Sequence, residues 1–316
     1  MKKTWPLFLA FAVLLAVGLG SSQQPPQQEQ TETPRTLDDT QILVRVNLVN
    51  VLFTVMDKKN RFVLGLDKDD ISVWEDGISQ EVRFFSRETN LPLRVGILID
   101  TSNSVRGRLR FEQQAAVDFL AKAVRPKRDR AFVVSFDVEA QLVQDLTDNT
   151  GDLAEAIRGL QAGGTTRLYD AIYFSSREKL LFTPQPEPYI RRALIILSDG
   201  VDNQSEHSRE EVLAMAQRAE VILYAISTNR TGITGRGDRV LKRLARETGG
   251  LSFFPQSSRE LSRHFNSIAS ELRSQYSLGY VSTNENRDGT FREITIRSKN
   301  KKYRVRAKNG YFAPSE

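Results

Sequence analysis

Apolar residues along this chain follow two rhythms. From Ile42 the pattern has period two: Val44, Val46 and Leu48 alternate with polar positions, then Val51, Phe53 and Val55 share the next face. A slip of one residue in an alternating run predicts a bulge or the meeting of two strands. Asp57-Lys58-Lys59-Asn60 and Glu75-Asp76-Gly77 are turn sequences, the second of them before Val82-Arg83-Phe84-Phe85. Residues 41–90 therefore form an N-terminal β segment, too short to hold a stable core alone.

Between residues 91 and 275 the rhythm changes. Continuous apolar runs at Arg94–Ile99, Ala131–Phe136, Ala193–Leu197, Val221–Ile226 and, briefly, Leu251–Phe254 read as buried strands separated by helical stretches. Ser208-Arg209-Glu210-Glu211 is a capping box before Val212-Leu213-Ala214-Met215. Asp238 is a candidate cap for the helix through Val240–Leu244, which stops at Gly249-Gly250. Leu261, Phe265, Ile268 and Leu272 define one buried helix face. Alternating strands and helices imply an α/β, doubly wound, mostly parallel sheet. Residues 276–316 return to β, with stretches at Tyr276–Val281, Phe291–Ile296 and Tyr303–Ala307 separated by turns at Asn286–Gly289 and Asn300-Lys301. The two flanking β segments are expected to pair into a small β-sandwich into which the α/β domain is inserted.

The N-terminus has its own pattern. Lys2 and Lys3 precede an apolar stretch from Trp5 to Leu19, and Gly20, Ser21 and Ser22 follow. Residues 1–22 thus read as a secretory signal peptide, with an uncleaved anchor as the alternative. The stretch is short of the roughly 20 apolar residues of a spanning helix. No Cys follows it, which excludes a lipidated N-terminus. Residues 23–40 are Gln/Pro-rich and read as a disordered linker. The expected destination is the periplasm, the cell surface or the medium.

Composition narrows the chemistry. Of 316 residues 27% are charged and the net charge is +6, without a long Lys/Arg block, so nucleic acid is not an expected partner. Cys is absent and the only two His residues, His207 and His264, are far apart in sequence, which removes thiol chemistry and zinc sites built on Cys and His.

What remains is oxygen chemistry at strand ends. The run Val95–Ile99 leads directly into Asp100-Thr101-Ser102-Asn103-Ser104, and Ala193–Leu197 leads into Ser198-Asp199-Gly200. Gly163-Gly164-Thr165-Thr166-Arg167 forms a third loop, ahead of a helix. In open α/β sheets ligands bind beyond the carboxyl ends of the strands. Two carboxylates and several hydroxyls gathered there suit a hard divalent cation. Asp and Ser are also favoured helix N-caps, and Asp-Gly is a common turn, so any one of these loops alone would be ambiguous.

Taken together, the three loops resemble a von Willebrand factor type A domain carrying a metal-ion-dependent adhesion site. The pattern is Asp-x-Ser-x-Ser, then a Thr, then an Asp, and the resemblance covers about residues 92–274. It implies Asp100, Ser102, Ser104, Thr166 and Asp199 as metal residues. Thr166 is favoured because the family's Thr precedes a small residue by five positions, here Ala171, and Thr165 is the alternative. The implied cofactor is Mg2+, or Ca2+ or Mn2+. The implied partner is a protein offering a Glu or Asp carboxylate, with any membrane contact only through an uncleaved N-terminal anchor. More narrowly, Leu48-Val49-Asn50-Val51, Phe84-Phe85-Ser86-Arg87, Tyr276–Tyr280 and Gly310–Pro314 resemble an exported bacterial group of type-A-related proteins.

Several features carry less. Arg236-Gly237-Asp238 spells an adhesion tripeptide, but three-residue matches arise by chance and Asp238 has a use as a cap. Asp202, Asn203 and Arg167 read as rim or surface groups, and the two His residues as surface and helix residues. The basic strand Lys299–Lys308 reads as a solvated edge. Two rival functions stand beside the adhesion module: an envelope scaffold with a purely structural metal, and a Mg-dependent phosphoryl-transfer enzyme using Asp100. Against the enzyme, Ser102 stands where a second Asp would be, no Gly-x-x-x-x-Gly-Lys loop exists, and no Ser/His/Asp set can be assembled.

Overall fold

Strand β1 (Leu48–Met56) enters a four-stranded antiparallel sheet whose other members come from both ends of the chain. The structure, a computed structural model, describes residues 48–88, 90–182, 190–229 and 233–315. The signal segment and linker expected over residues 1–40 lie outside the described residues. Among the described residues no helix is long and apolar enough to cross a membrane.

The next strands, β2 (Ile71–Glu75), β3 (Ile78–Gln80) and β4 (Val82–Glu88), complete the N-terminal contribution. The α/β portion follows as β5 (Leu93–Asp100), α1 (Leu109–Ala123), β6 (Arg130–Phe136), β7 (Ala140–Thr147), α2 (Thr150–Arg158), α3 (Leu168–Phe174), β8 (Arg191–Ser198), α4 (Arg209–Arg218), β9 (Val221–Ser227), α5 (Arg236–Glu247), β10 (Ser252–Phe253) and α6 (Ser258–Glu271). The chain ends in β11 (Gln275–Val281), β12 (Phe291–Ser298), β13 (Arg304–Ala307) and β14 (Gly310–Phe312).

The central sheet has the order β10-β9-β8-β5-β6-β7 and is parallel except for β7. All eight residues of β5 are buried, which is why its sequence reads as an unbroken apolar run. Gly96 lets it lie between Phe132 and Leu194, because a Cβ there would collide with both rings' and branches' carbons. One core packs α1, α2 and α6 on one face, and a second packs α3, α4 and α5 on the other. The expected helix face of Leu261, Phe265, Ile268 and Leu272 is buried. The capping box at Ser208 is present, with its hydroxyl accepting from the Glu211 N–H. Strand β7 has no sequence signature: its residues are exposed or half-buried on an edge, so no face writes a period into them.

The flanking segments form two four-stranded sheets, β13-β1-β11-β4 and β14-β12-β2-β3, that share one apolar core. Each sheet mixes strands from both chain ends, so the α/β domain is inserted into a sandwich, as the sequence implied. A buried ion pair, Arg292 to Glu75, crosses this unit with Tyr280 and Tyr311 hydroxyls donating to the same carboxylate at 2.8 and 3.0 Å. The slip expected near Leu48 is not a bulge in β1. Val49, Val51, Phe53 and Val55 take the core face, and β1 pairs with β11 from Leu48 to Phe53 without a shift. The irregularity lies between β11 and β4, at Gly279/Tyr280.

Candidate metal site

β5 is the first strand of the parallel sheet in the chain, and it is flanked by β6 on one side and β8 on the other. That makes its carboxyl end the point where the strand order reverses, the place where α/β sheets leave a crevice. Asp100 ends β5 and Ser198 ends β8, with Asp199 directly beyond.

The carboxylate of Asp100 is wholly buried. Oδ1 accepts the Ser102 N–H at 2.9 Å, and Oδ2 accepts the Ser198 hydroxyl at 2.8 Å. Burial pushes its carboxyl up to about 6, against the hydrogen bonds of Ser102 and Ser198, and the like charge of Asp199 adds to the rise. The Ser102 and Ser104 hydroxyls lie 2.9 Å apart. Ser102 begins a short 3-10 turn over Asn103–Val105 yet its side chain caps nothing, and α1 starts only at Leu109 after Arg108. The simple helix-cap reading of the two serines therefore fails.

The second loop is stitched to the first through backbone. The Asn103 N–H donates to the Gly164 carbonyl at 3.4 Å and the Gly163 N–H to Thr101 at 2.6 Å. Thr166 is buried and its carbonyl accepts the Asn203 N–H at 3.1 Å, which ties the second loop to the third. Thr165 is committed elsewhere, its hydroxyl donating to Gln204 at 3.1 Å. Asp199 is half-buried, with Oδ1 accepting the Val201 N–H at 3.0 Å. The structure thus joins Asp100, Ser102 and Ser104 by direct hydrogen bonds and brings Asp199 within reach by its charge. Thr166 enters through the backbone of its loop.

Two contributors, Ser198 and Gly237, lie outside the residues expected from the sequence. Ser198 orients Asp100 and, with the same oxygen, accepts the Gly200 N–H at 3.0 Å. Gly200 adopts φ 77°, the left-handed turn that its position beside Asp199 implied. Gly237 lets α5 abut this turn, since a Cβ there would run into the Asp199 carbonyl oxygen. Only the last has a sequence trace, the tripeptide Arg236-Gly237-Asp238, whose Gly237 and Asp238 are buried within the start of α5. Asp238 is not the N-cap expected of it. It stands three residues inside, and its carboxylate accepts from Gly235 N–H, Ser227 Oγ and Asn229 Nδ2 at 2.6 to 2.8 Å.

The rim groups are also occupied. Arg167 pairs with Asp170 and Glu206 at 3.2 and 3.3 Å. Asp202 accepts from the Tyr169 N–H and Ser205 hydroxyl. His207, expected as a surface residue, is instead half-buried, bonded to Asp170 at 2.8 Å and stacked on Tyr173. Among the described residues no three His, Cys, Asp or Glu side chains form a ligand cluster. A cation here would rest on two carboxylates and hydroxyls, a donor set that fits a hard ion.

Comparison with known proteins agrees with this architecture. Residues 95–202 match the family model of the von Willebrand factor type A domain, and the central sheet has that domain's fold. Among solved structures, proximal thread matrix protein 1 from the mussel byssus, with a zinc-occupied adhesion motif, is similar at 17% identity and a TM-score of 0.50, over 63% of this chain and 49% of that one. The chain therefore spans about half the length of that protein. BatB from Bacteroides thetaiotaomicron (16% identity, TM-score 0.46) is covered over its whole length by 58% of this chain. The type A domain of the pilus tip protein Mfa5 from Porphyromonas gingivalis (13%, TM-score 0.47) is covered over 95% by 57% of this chain. Comparison with curated proteins gives no match.

Proposed function

We propose that this protein is an exported, non-enzymatic binding module whose metal-ion-dependent adhesion site takes an acidic side chain of a protein partner. The observation that carries the reading is Asp100: a fully buried carboxylate, bonded only by neutral donors, beside a second carboxylate of the same sign. Such an arrangement is costly on its own and becomes favourable beside a cation.

Asp100, Ser102 and Ser104, with Thr166 and Asp199 from the neighbouring loops, are the residues that would hold it, directly or through water. The outward engagement of Thr165 favours Thr166. Mg2+ suits this all-oxygen set, with Mn2+ and Ca2+ as alternatives. The bound ion would supply a positive centre able to receive a Glu or Asp carboxylate. The Ser198 hydroxyl holds Asp100, and backbone hydrogen bonds tie the three loops to one another. The mussel protein's occupied motif supports a cation at this position of the fold. The terminal motifs favour the exported bacterial type-A-related group, with the periplasm or cell surface as the place of action.

Two measurements test this together. Titration of metal-stripped protein with Mg2+ or Mn2+ is expected to show one site and a raised melting temperature. Capture of envelope proteins is expected in Mg2+ and to be lost in EDTA and in Asp100→Ala. Capture that survives both changes would overturn the reading.

A further inference from the structure

At the opposite end of the parallel sheet from Asp100, where β8 and β9 begin, a cleft of about 490 Å³ opens between the α/β domain and the outer face of the sandwich. That size lies within the roughly 300–1,000 Å³ of small-molecule sites. Leu48, Leu52 and Phe84 line it from the sandwich, and Ile190 and Val221 from the α/β side. Its floor is a trough created by Gly279: a Cβ there would meet Phe84 at 3.2 Å and Leu48 at 3.5 Å. Leu48 and Phe84 are 46% and 63% exposed, so the trough presents apolar surface that the chain's described residues do not cover.

The charged groups on its lining are Arg192, Lys308 and Glu220. Glu220 stands between the two cations, 3.7 Å from Arg192 Nη1 and 3.4 Å from Lys308 Nζ. The cations are mostly enclosed while Glu220 is 55% exposed, so the carboxylate is the partner free to swing out. Arg192 Nε is buried and has no hydrogen-bond acceptor. Glu220 also occupies a left-handed backbone position, φ 53°, where glycine is the usual residue. The chain thus keeps a carboxylate, at a backbone cost, between two cations at the edge of an apolar trough.

We propose that this cleft binds a single-chain aliphatic carboxylate, its tail lying over Gly279 between Leu48 and Phe84 and its head on Arg192 and Lys308. The ligand head takes the position of the Glu220 carboxylate and makes the same ion-pair contacts with Arg192 and Lys308. The tail displaces water from the trough, which gives the larger part of the affinity. Arg192 and Lys308 carry two positive charges against one carboxylate, so an anion is favoured over a neutral amphiphile.

The probe is dodecanoate below its micelle concentration, titrated calorimetrically into the full chain in EDTA, which keeps the result independent of the Asp100 site. Saturable one-to-one binding is expected, with dodecan-1-ol at least about tenfold weaker. Glu220→Gln removes the competing carboxylate and is expected to tighten binding severalfold. Arg192→Met with Lys308→Met is expected to weaken it about tenfold or more. Gly279→Leu fills the trough and is expected to abolish binding while near-ultraviolet circular dichroism stays native. Equal affinity for the alcohol, unsaturable uptake, or wild-type binding by a folded Gly279→Leu variant would each overturn the assignment. Because Glu220→Gln predicts a gain, a variant that simply unfolds cannot mimic it.

Discussion

The Ser198 hydroxyl donates to Asp100 Oδ2 at 2.8 Å and so joins the last residues of two adjacent parallel strands. The same oxygen accepts the Gly200 N–H at 3.0 Å. One side chain therefore fixes both the orientation of Asp100 and the turn that presents Asp199. A site divided between two strands is made rigid by a bond that crosses between them.

Replacing Asp100 tests what this rigidity holds. In Asp100→Asn a buried charge disappears, so the variant is expected to melt in EDTA at or above the wild-type temperature. It is also expected to lose the response to Mg2+, which for the wild type at a hundredfold excess over Kd is about 2.7 kcal/mol. Ser198→Ala keeps the charge but removes a donor, and is expected to cost about 1–3 kcal/mol in EDTA. Differential scanning calorimetry with and without Mg2+ separates the two. An undiminished Mg2+ shift in Asp100→Asn would remove Asp100 from the site.

Gly237 provides a test from outside the three loops. Alanine at this position of α5 would ordinarily favour the helix by about 1 kcal/mol. Here its Cβ would run into the Asp199 carbonyl oxygen and the Gly200 backbone, neither of which is the end of a flexible side chain. Gly237→Ala is therefore expected to destabilise the protein by about 1–3 kcal/mol and to weaken cation affinity by displacing Asp199. Urea denaturation and Mn2+ titration read the two effects separately. A variant with higher stability and unchanged affinity would show that the turn does not depend on α5.

How much of this was legible depends on where each residue's environment leaves a trace in sequence. β5 and β8 write their burial as unbroken apolar runs, and the loops after them carry the carboxylates, so both the sheet and the carboxylate pair were readable. β7 was not, because an exposed edge strand has no buried face to impose a period. The sandwich was readable only as a pairing between chain ends. The register of β1 was misread because Leu48 is as apolar as Val49 while only Val49 faces the core. Ser198 and Gly237 act through long-range approach, and a single serine or glycine gives no periodic signal. The same holds for His207, whose partner Asp170 is 37 residues away.

At the base of the α/β domain, Asp129 accepts the Leu93 N–H at 2.9 Å and pairs with Arg125 and Arg273 at 2.7 and 2.6 Å. Burial alone would raise this carboxyl, but the hydrogen bonds from Arg125, then Arg273, and from two backbone N–H groups hold it down at about 2. A carboxylate depressed in the folded state contributes stability that is fully present above about pH 4 and is lost as pH falls toward 2. Its contribution is about 2 kcal/mol. Asp129→Asn is expected to be less stable than wild type at pH 7 and to approach it near pH 2. Chemical denaturation at pH 7, 4 and 2.5 checks the convergence, and a constant gap would contradict it.

The last helix of the α/β domain is fastened to the sandwich by one side chain. Glu271, at the end of α6 and 1% exposed, accepts the Arg306 guanidinium of β13 and the Tyr224 hydroxyl of β9, the latter at 2.9 Å. Arg306 Nε also donates to the Gly249 carbonyl at 3.0 Å. Arg306→Met leaves Glu271 buried without its counter-charge, and is expected to cost about 3–5 kcal/mol. Burial already raises the Glu271 carboxyl, and losing Arg306 raises it further. A carboxyl raised in the folded state favours folding at low pH, and that advantage is lost as pH climbs through its folded value. The deficit of Arg306→Met is therefore expected to shrink as pH is lowered from 7 through the raised Glu271 value. Adding Glu271→Gln should recover part of the loss at pH 7, which a double-mutant cycle measures as a coupling between β13 and α6. Hydrogen exchange in the last turn of α6 should accelerate in Arg306→Met and return in the double variant. An exchange rate that ignores Arg306 would show that α6 is held by its apolar face alone.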